Sequence, residues 1–279
     1  MSSIYFILLI SLAIVGSTAG IHLKRSLRRK RLRAKPFPEE WRTILERNVP
    51  LYQRLPDAYK KELHRRIHVF LAEKSFKGVE GLQITDEIRV TIAAQACILV
   101  LNRKEEYYPR LCSIIVYPGA YQARRSTLFE SESHGEKRQT LLGESWSVGT
   151  VVLAWDHITR GARDIEDGQN VVFHEFAHQL DQEDSSSDGA PILDRRSNYI
   201  SWARVLGKEY KKLQQDMVAN KMTLLDQYGA TDEAEFFAVA TECFFEKPIQ
   251  MKKKHPKLYK ELKNFYKQDP IQYFVVKNI

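Results

Sequence analysis

Residues 171–182 read VVFHEFAHQLDQ: two histidines four apart, a glutamate directly after the first, and apolar residues filling the rest of a helical pattern. At 3.6 residues per turn, His174 and His178 project from one face of a helix one turn apart, so both imidazoles can reach a single zinc ion at about 2.0–2.1 Å. Glu175 sits beside that face, where its carboxylate can act as general base toward a water that the metal acidifies. The alternative is a core helix with two hydrogen-bonded histidines. The apolar Val171, Val172 and Phe173, a strand-like run shortly before and acidic residues downstream favour the metal.

Catalytic zinc takes three protein ligands and water, so a third ligand must come from elsewhere. Asp181, three residues after His178, is too close along the chain to close a tetrahedron easily; it suits either an acceptor that orients an imidazole or a helix-end carboxylate. The richer source is YGATDEAEFFAVATECFFEKP, residues 228–248. Thr231 or Asp232 can cap a helix there, and Glu235 and Glu242 then share one face two turns apart. One glutamate can ligate and the other support, and spacing alone leaves the order open. Phe236, Phe237, Phe244 and Phe245 supply apolar contacts that hold this helix against the histidine helix.

Around this centre the pattern is mixed α and β. Helical periodicity covers 39–51, 56–73, 90–102, 199–217, 233–245 and a final lysine- and aromatic-rich pair, while 112–117 and 150–155 are short β-branched strands. Residues 124–147, polar and poorly periodic, suggest a surface loop bordering a cleft. His64 and His68 repeat the four-residue spacing, but Arg65 stands where an acid belongs, so that pair reads as a solvated helix face. Asp184, Ser186, Asp188 and Gly189 resemble the start of a calcium loop, yet Arg195 occupies the bidentate glutamate position, which leaves a flexible turn.

Ile4 to Ile21 carries no charge and is about long enough to cross a ~30 Å hydrocarbon core. A cleaved signal peptide would need basic residues before the run, and here they follow it, so an uncleaved anchor with the body on the cytoplasmic side is expected. Lys24, Arg25, Arg28, Arg29, Lys30, Arg31, Arg33 and Lys35 account for the whole +8 charge and should attract anionic headgroups of the inner membrane. Without those eight, the other 35 Lys and Arg equal the 35 Asp and Glu, which removes the case for nucleic-acid binding. Cys97, Cys112 and Cys243 lie far apart in apolar runs and read as buried thiols in a reducing compartment.

HEFAHQLD together with the 228–248 stretch resembles the Mlc titration factor A family of zinc metallopeptidases, a likeness that runs from about Trp41 to Tyr273 and includes LCSIIVYP and GTVVLAWDHI. The resemblance implies a zincin-like fold related to the lethal-factor catalytic domain, with His174, His178 and Glu235 as zinc ligands, Glu175 as base, and Tyr228 placed to stabilise an oxyanion. It also implies aminopeptidase-type activity on short peptides and a partner of the Mlc repressor type. The expected fold class is α+β: a small sheet, an HExxH helix and a carboxy-terminal glutamate-bearing helix, preceded by one transmembrane helix. The expected domains are 1–23 (anchor), 24–38 (basic juxtamembrane linker) and 39–279 (zinc metallopeptidase). Thr150 to Asp156 would offer an edge strand to a peptide or protein substrate. The competing readings are a noncatalytic regulator binding a repressor at the membrane, and a structural zinc domain, which lacks a fourth protein ligand.

Overall fold

The computed structural model describes residues 2–103, 107–119 and 149–274; for 2–4, 6–18, 162 and 163 it describes the backbone alone. The polar stretch 124–147 lies outside the described residues. The body is α+β, mostly helical, with a three-stranded parallel sheet in the order β1 (Ser75–Gly78), β2 (Ser113–Tyr117), β3 (Thr150–Ala154). Ser75 pairs with Ser113, and Ser113 with Thr150. Sequence periodicity missed β1, which is only four residues long and half exposed. Alternation in β2 buries Ile114 and Val116 on one face, as a strand period of two requires.

Between β1 and β2 the alanine-rich helix Asp86–Leu99, capped by Thr85, is buried along most of its length. It packs against the histidine helix, Val171–Asp181, which in turn packs against β3 and the glutamate helix, Glu233–Glu246. Phe173, Phe176, Phe236, Phe237, Phe244 and Phe245 are at most 1% exposed, and Phe173 meets Phe245 with ring centroids 5.3 Å apart. Each such burial contributes about 1.5–3 kcal/mol. The two helices that carry the candidate ligands are therefore joined by dense apolar packing, and their separation is fixed.

The amino-terminal helix runs without interruption from Ser2 to Arg33. The basic segment is thus helical to Arg33 and not an open linker, and half of it is clamped to the helix Asp57–Glu73. Arg29 grips Glu73 with two contacts of 2.7 Å, Arg25 reaches the same carboxylate, and Arg28 donates to the Ala72 carbonyl. Arg33 pairs with Glu62 and donates to the Tyr107 hydroxyl at 2.8 Å. Among the described residues no helix is long and apolar enough to cross a membrane, and most side chains of the apolar run 4–21 lie outside that description.

The reading of His64 and His68 as a solvated face is corrected. Pro36-Phe37-Pro38 folds back over this face, so that Phe37 stacks on His64 at 3.9 Å, Trp41 contacts His68, and Tyr52 shares a 3.0 Å hydrogen bond with His64. Burial, and then the charge of Arg42, with His68 and Lys60 beyond it, push the His64 imidazole down to about 4. His68 is lowered by burial, opposed by a hydrogen bond to the Pro36 backbone. An unfolded histidine takes up its proton near pH 6.5. The folded chain binds fewer protons between that value and about 4, so stability falls as pH drops through this window. Denaturation midpoints should fall more steeply from pH 7 to 5 in the wild type than in His64→Gln; equal slopes would remove this coupling.

Candidate metal centre

Asn170 starts the histidine helix, its side-chain oxygen accepting from the amides of Val172 and Phe173 at 3.1 and 3.0 Å. One turn in, His174 and His178 face each other with Nε2 atoms 3.2 Å apart. Asp232 caps the glutamate helix by accepting from the Glu235 amide, which sets Glu235 in the first turn, aimed at the histidines. Its Oε2 lies 2.9 Å from His174 Nε2 and 3.5 Å from His178 Nε2.

Ligand bonds of about 2.0–2.2 Å in a tetrahedral arrangement place donor atoms roughly 3.3 Å apart. The three observed edges bracket that value, and these residues form a cluster able to hold a metal ion. The electrostatics agree. His174 Nδ1 is committed to Glu242 Oε1 at 2.8 Å, which turns its Nε2 toward the cluster. Glu235 Oε2 is buried and faces both Nε2 atoms without a well-aligned hydrogen bond to either. Without a metal, burial works against a charged His174, but the Glu235 and Glu242 carboxylates beside its two ring nitrogens overcome it and raise its pKa well above the ordinary value. Burial raises Glu235, while its contacts with His174 and His178 win and bring it down to about 2. A divalent cation satisfies the same three atoms without a proton.

The remaining expected residues surround the triangle. Glu175 is 4% exposed and lines a cleft of about 630 Å³ together with His174, Tyr228, Glu235 and Glu242. Burial, opposed by the two histidines, raises its carboxyl pKa. Tyr228, on the 3₁₀ turn Gln227–Ala230, points its hydroxyl to Glu235 Oε1 at 3.4 Å. Burial, then the Glu235 charge, pushes the phenol up to about 12, so it remains a donor.

Asp181 goes elsewhere. Fully buried, it accepts from the Gly189 amide at 3.0 Å, and Trp202 donates to the Gly189 carbonyl at 2.9 Å. Burial, opposed by the Gly189 amide, pushes its carboxyl up to about 6. No imidazole is among its described hydrogen-bond partners. Gly189 has φ +71, and a Cβ there would lie 2.3 Å from the Glu233 carbonyl. The end of the turn read as flexible is therefore anchored at Gly189 between the two site helices, while Asp184, Ser185, Ser187 and Asp188 stay exposed. Sequence reasoning missed Asn170 and Glu246; the cap preference of asparagine ahead of an apolar run was the available signal.

The model of the glucose-regulated metallo-peptidase M90 family matches residues 23–267. The chain belongs to this family. A Synechocystis sp. protein described as uncharacterized is 40% identical over 95% of this chain and 97% of its own length. Mlc titration factor A of Klebsiella pneumoniae is 30% identical over 80% of this chain and 84% of its own, and that of Serratia proteamaculans is 30% identical over 83% and 88%. The M90 match begins two residues after the apolar run and spans both site helices. Membership in a metallopeptidase family and a His-His-Glu cluster together imply a bound metal ion.

Proposed function

We propose that this M90 member is a zinc-dependent peptidase, held at the cytoplasmic membrane by its amino-terminal helix and facing the cytoplasm. The observation that carries the reading is the triangle of His174, His178 and Glu235 at ligand spacing, beside Glu175 and open to the cleft. Three ligands of this kind are the usual protein share of a catalytic zinc, and a closed structural site would need a fourth. When bound, zinc supplies Lewis-acid polarisation of a peptide carbonyl and acidification of water. Glu175, its pKa raised by burial, accepts the proton of the attacking water and passes it to the leaving amine. Tyr228 donates a hydrogen bond to the carbonyl oxygen as charge builds there. Glu242 holds His174 through Nδ1 and keeps Nε2 free for the metal. With no further strand beyond it among the described residues, β3 is available for pairing with an extended peptide, which supports a peptide substrate, while aminopeptidase-type cleavage of short peptides rests on the family likeness.

A peptide library incubated with the full chain tests this. Cleavage that disappears with a chelator and returns with zinc is expected; no cleavage under either condition would sink the enzymatic reading. A second reading, a noncatalytic regulator, is favoured by the name Mlc titration factor A that relatives carry. On that reading the chain binds a repressor of the Mlc type.

The anchor reading is supported by the uncharged run 4–21 and by the basic residues that follow it. With Arg25, Arg28, Arg29 and Arg33 engaged by the body, the exposed Lys24, Lys30, Arg31 and Lys35 are the ones that meet lipid headgroups. A cysteine introduced at Ser3 should react with an impermeant reagent from outside, and one at Asn278 should not. The reverse pattern would overturn the assignment.

A further inference from the structure

Behind the metal cluster lies a buried polar chain that the mechanism above does not use. Asn170 is 3% and Glu246 1% exposed. The Asn170 side chain divides its two ends: its oxygen caps the histidine helix, and its amide donates to Glu246 Oε1 at 3.0 Å. Its backbone amide donates at 2.5 Å to Glu242 Oε2, the carboxylate whose other oxygen holds His174 Nδ1. One residue thus touches both determinants of where His174 Nε2 lies: the start of the helix and the carboxylate that sets the rotation of the ring.

We propose that Asn170, held in place by Glu246, is the positioning residue of this centre, aligning His174 through Glu242 and through the helix start. The inference rests on the metal reading above. A cap alone would be served by serine or aspartate, since either offers an oxygen to the first amides. The amide donor is what asparagine adds, and it meets a buried glutamate whose second oxygen has no hydrogen-bond partner. At 3% and 1% exposure the pair is shut off from solvent, so a lost bond is not replaced by water, and burial, opposed by the Asn170 amide, raises Glu246 above the ordinary carboxyl range. Misplacing this support rotates a ligand without removing it.

Zinc dissociation constants of the full chain, measured by competition with a chromophoric chelator, test the proposal, with the melting temperature of the metal-free protein measured alongside. Asn170→Ser keeps the cap oxygen and loses the amide; Glu246→Leu removes the acceptor. Both should weaken zinc binding by about 10- to 100-fold, as loss of groups behind metal ligands does. Glu246→Gln retains a carbonyl acceptor and should stay within a few-fold of wild type. Wild-type affinity in both weakened variants, or a lower melting temperature without a change in affinity, would reduce Asn170 to a helix cap. Failure of both variants to fold would equally overturn the proposal, since the network would then support the fold and not the ring. A wild-type chain that binds no zinc refutes the metal reading itself, which is a different outcome.

Discussion

Replacing Glu175 with glutamine should leave one metal ion per chain and lower peptide hydrolysis by about 10²- to 10⁴-fold, the contribution of a positioned general base. The substitution preserves size and hydrogen-bonding shape at a side chain only 4% exposed, so folding is retained. Glu175 contributes no donor atom to the His174, His178, Glu235 cluster, which is why binding and turnover should separate. Tyr228→Phe should give a milder loss, in turnover more than in substrate binding, since it removes one donor to the developing charge. Steady-state kinetics with metal analysis on each variant decide the point. Wild-type turnover in Glu175→Gln would end the mechanism, whereas lost zinc would move Glu175 into the ligand set. A metal-loaded Glu175→Gln protein that keeps its effect in the cell would favour the regulator.

The second large effect separates the two glutamates of the downstream helix. Glu235→Ala removes an atom 2.9 Å from His174 Nε2 and should abolish stoichiometric metal after dialysis against a mild chelator. Glu242→Ala should keep stoichiometric metal and lose about 10- to 100-fold in affinity or activity, because its carboxylate touches Nδ1 on the far side of the ring. Elemental analysis of the two purified proteins reads both outcomes. Full metal in Glu235→Ala with none in Glu242→Ala would exchange their roles. The geometry explains why spacing could not choose between them. Both side chains lie on the same helix face, but Asp232 aims the first turn at the metal cluster, while Glu242 sits two turns deeper, against the cap of the neighbouring helix.

Much of the site is local in the chain and therefore legible without coordinates. His174, Glu175 and His178 depend only on the helical repeat, and the Asp232 cap and phenylalanine-rich glutamate helix are readable from residue type alone. The sequence by itself also determined where charge resides, since the +8 lies wholly in residues 24–35, and the strand character of 113–117 and 150–154. Tertiary structure decided what no periodicity encodes: which carboxylate meets which nitrogen, and which buried surfaces a distant segment covers. Asp181, one turn from His178 by spacing, spends its hydrogen bond on Gly189 instead. His64 and His68, polar by pattern, are covered by Phe37 and Trp41, and three of the basic segment's arginines, Arg25, Arg29 and Arg33, pair with Glu73 or Glu62. The physical reason is common to all three. Helical repeats and caps are set by neighbours within a turn or two, whereas the partner of a buried polar group is whichever complement the packed core brings within about 3 Å, and that distance depends on the whole chain.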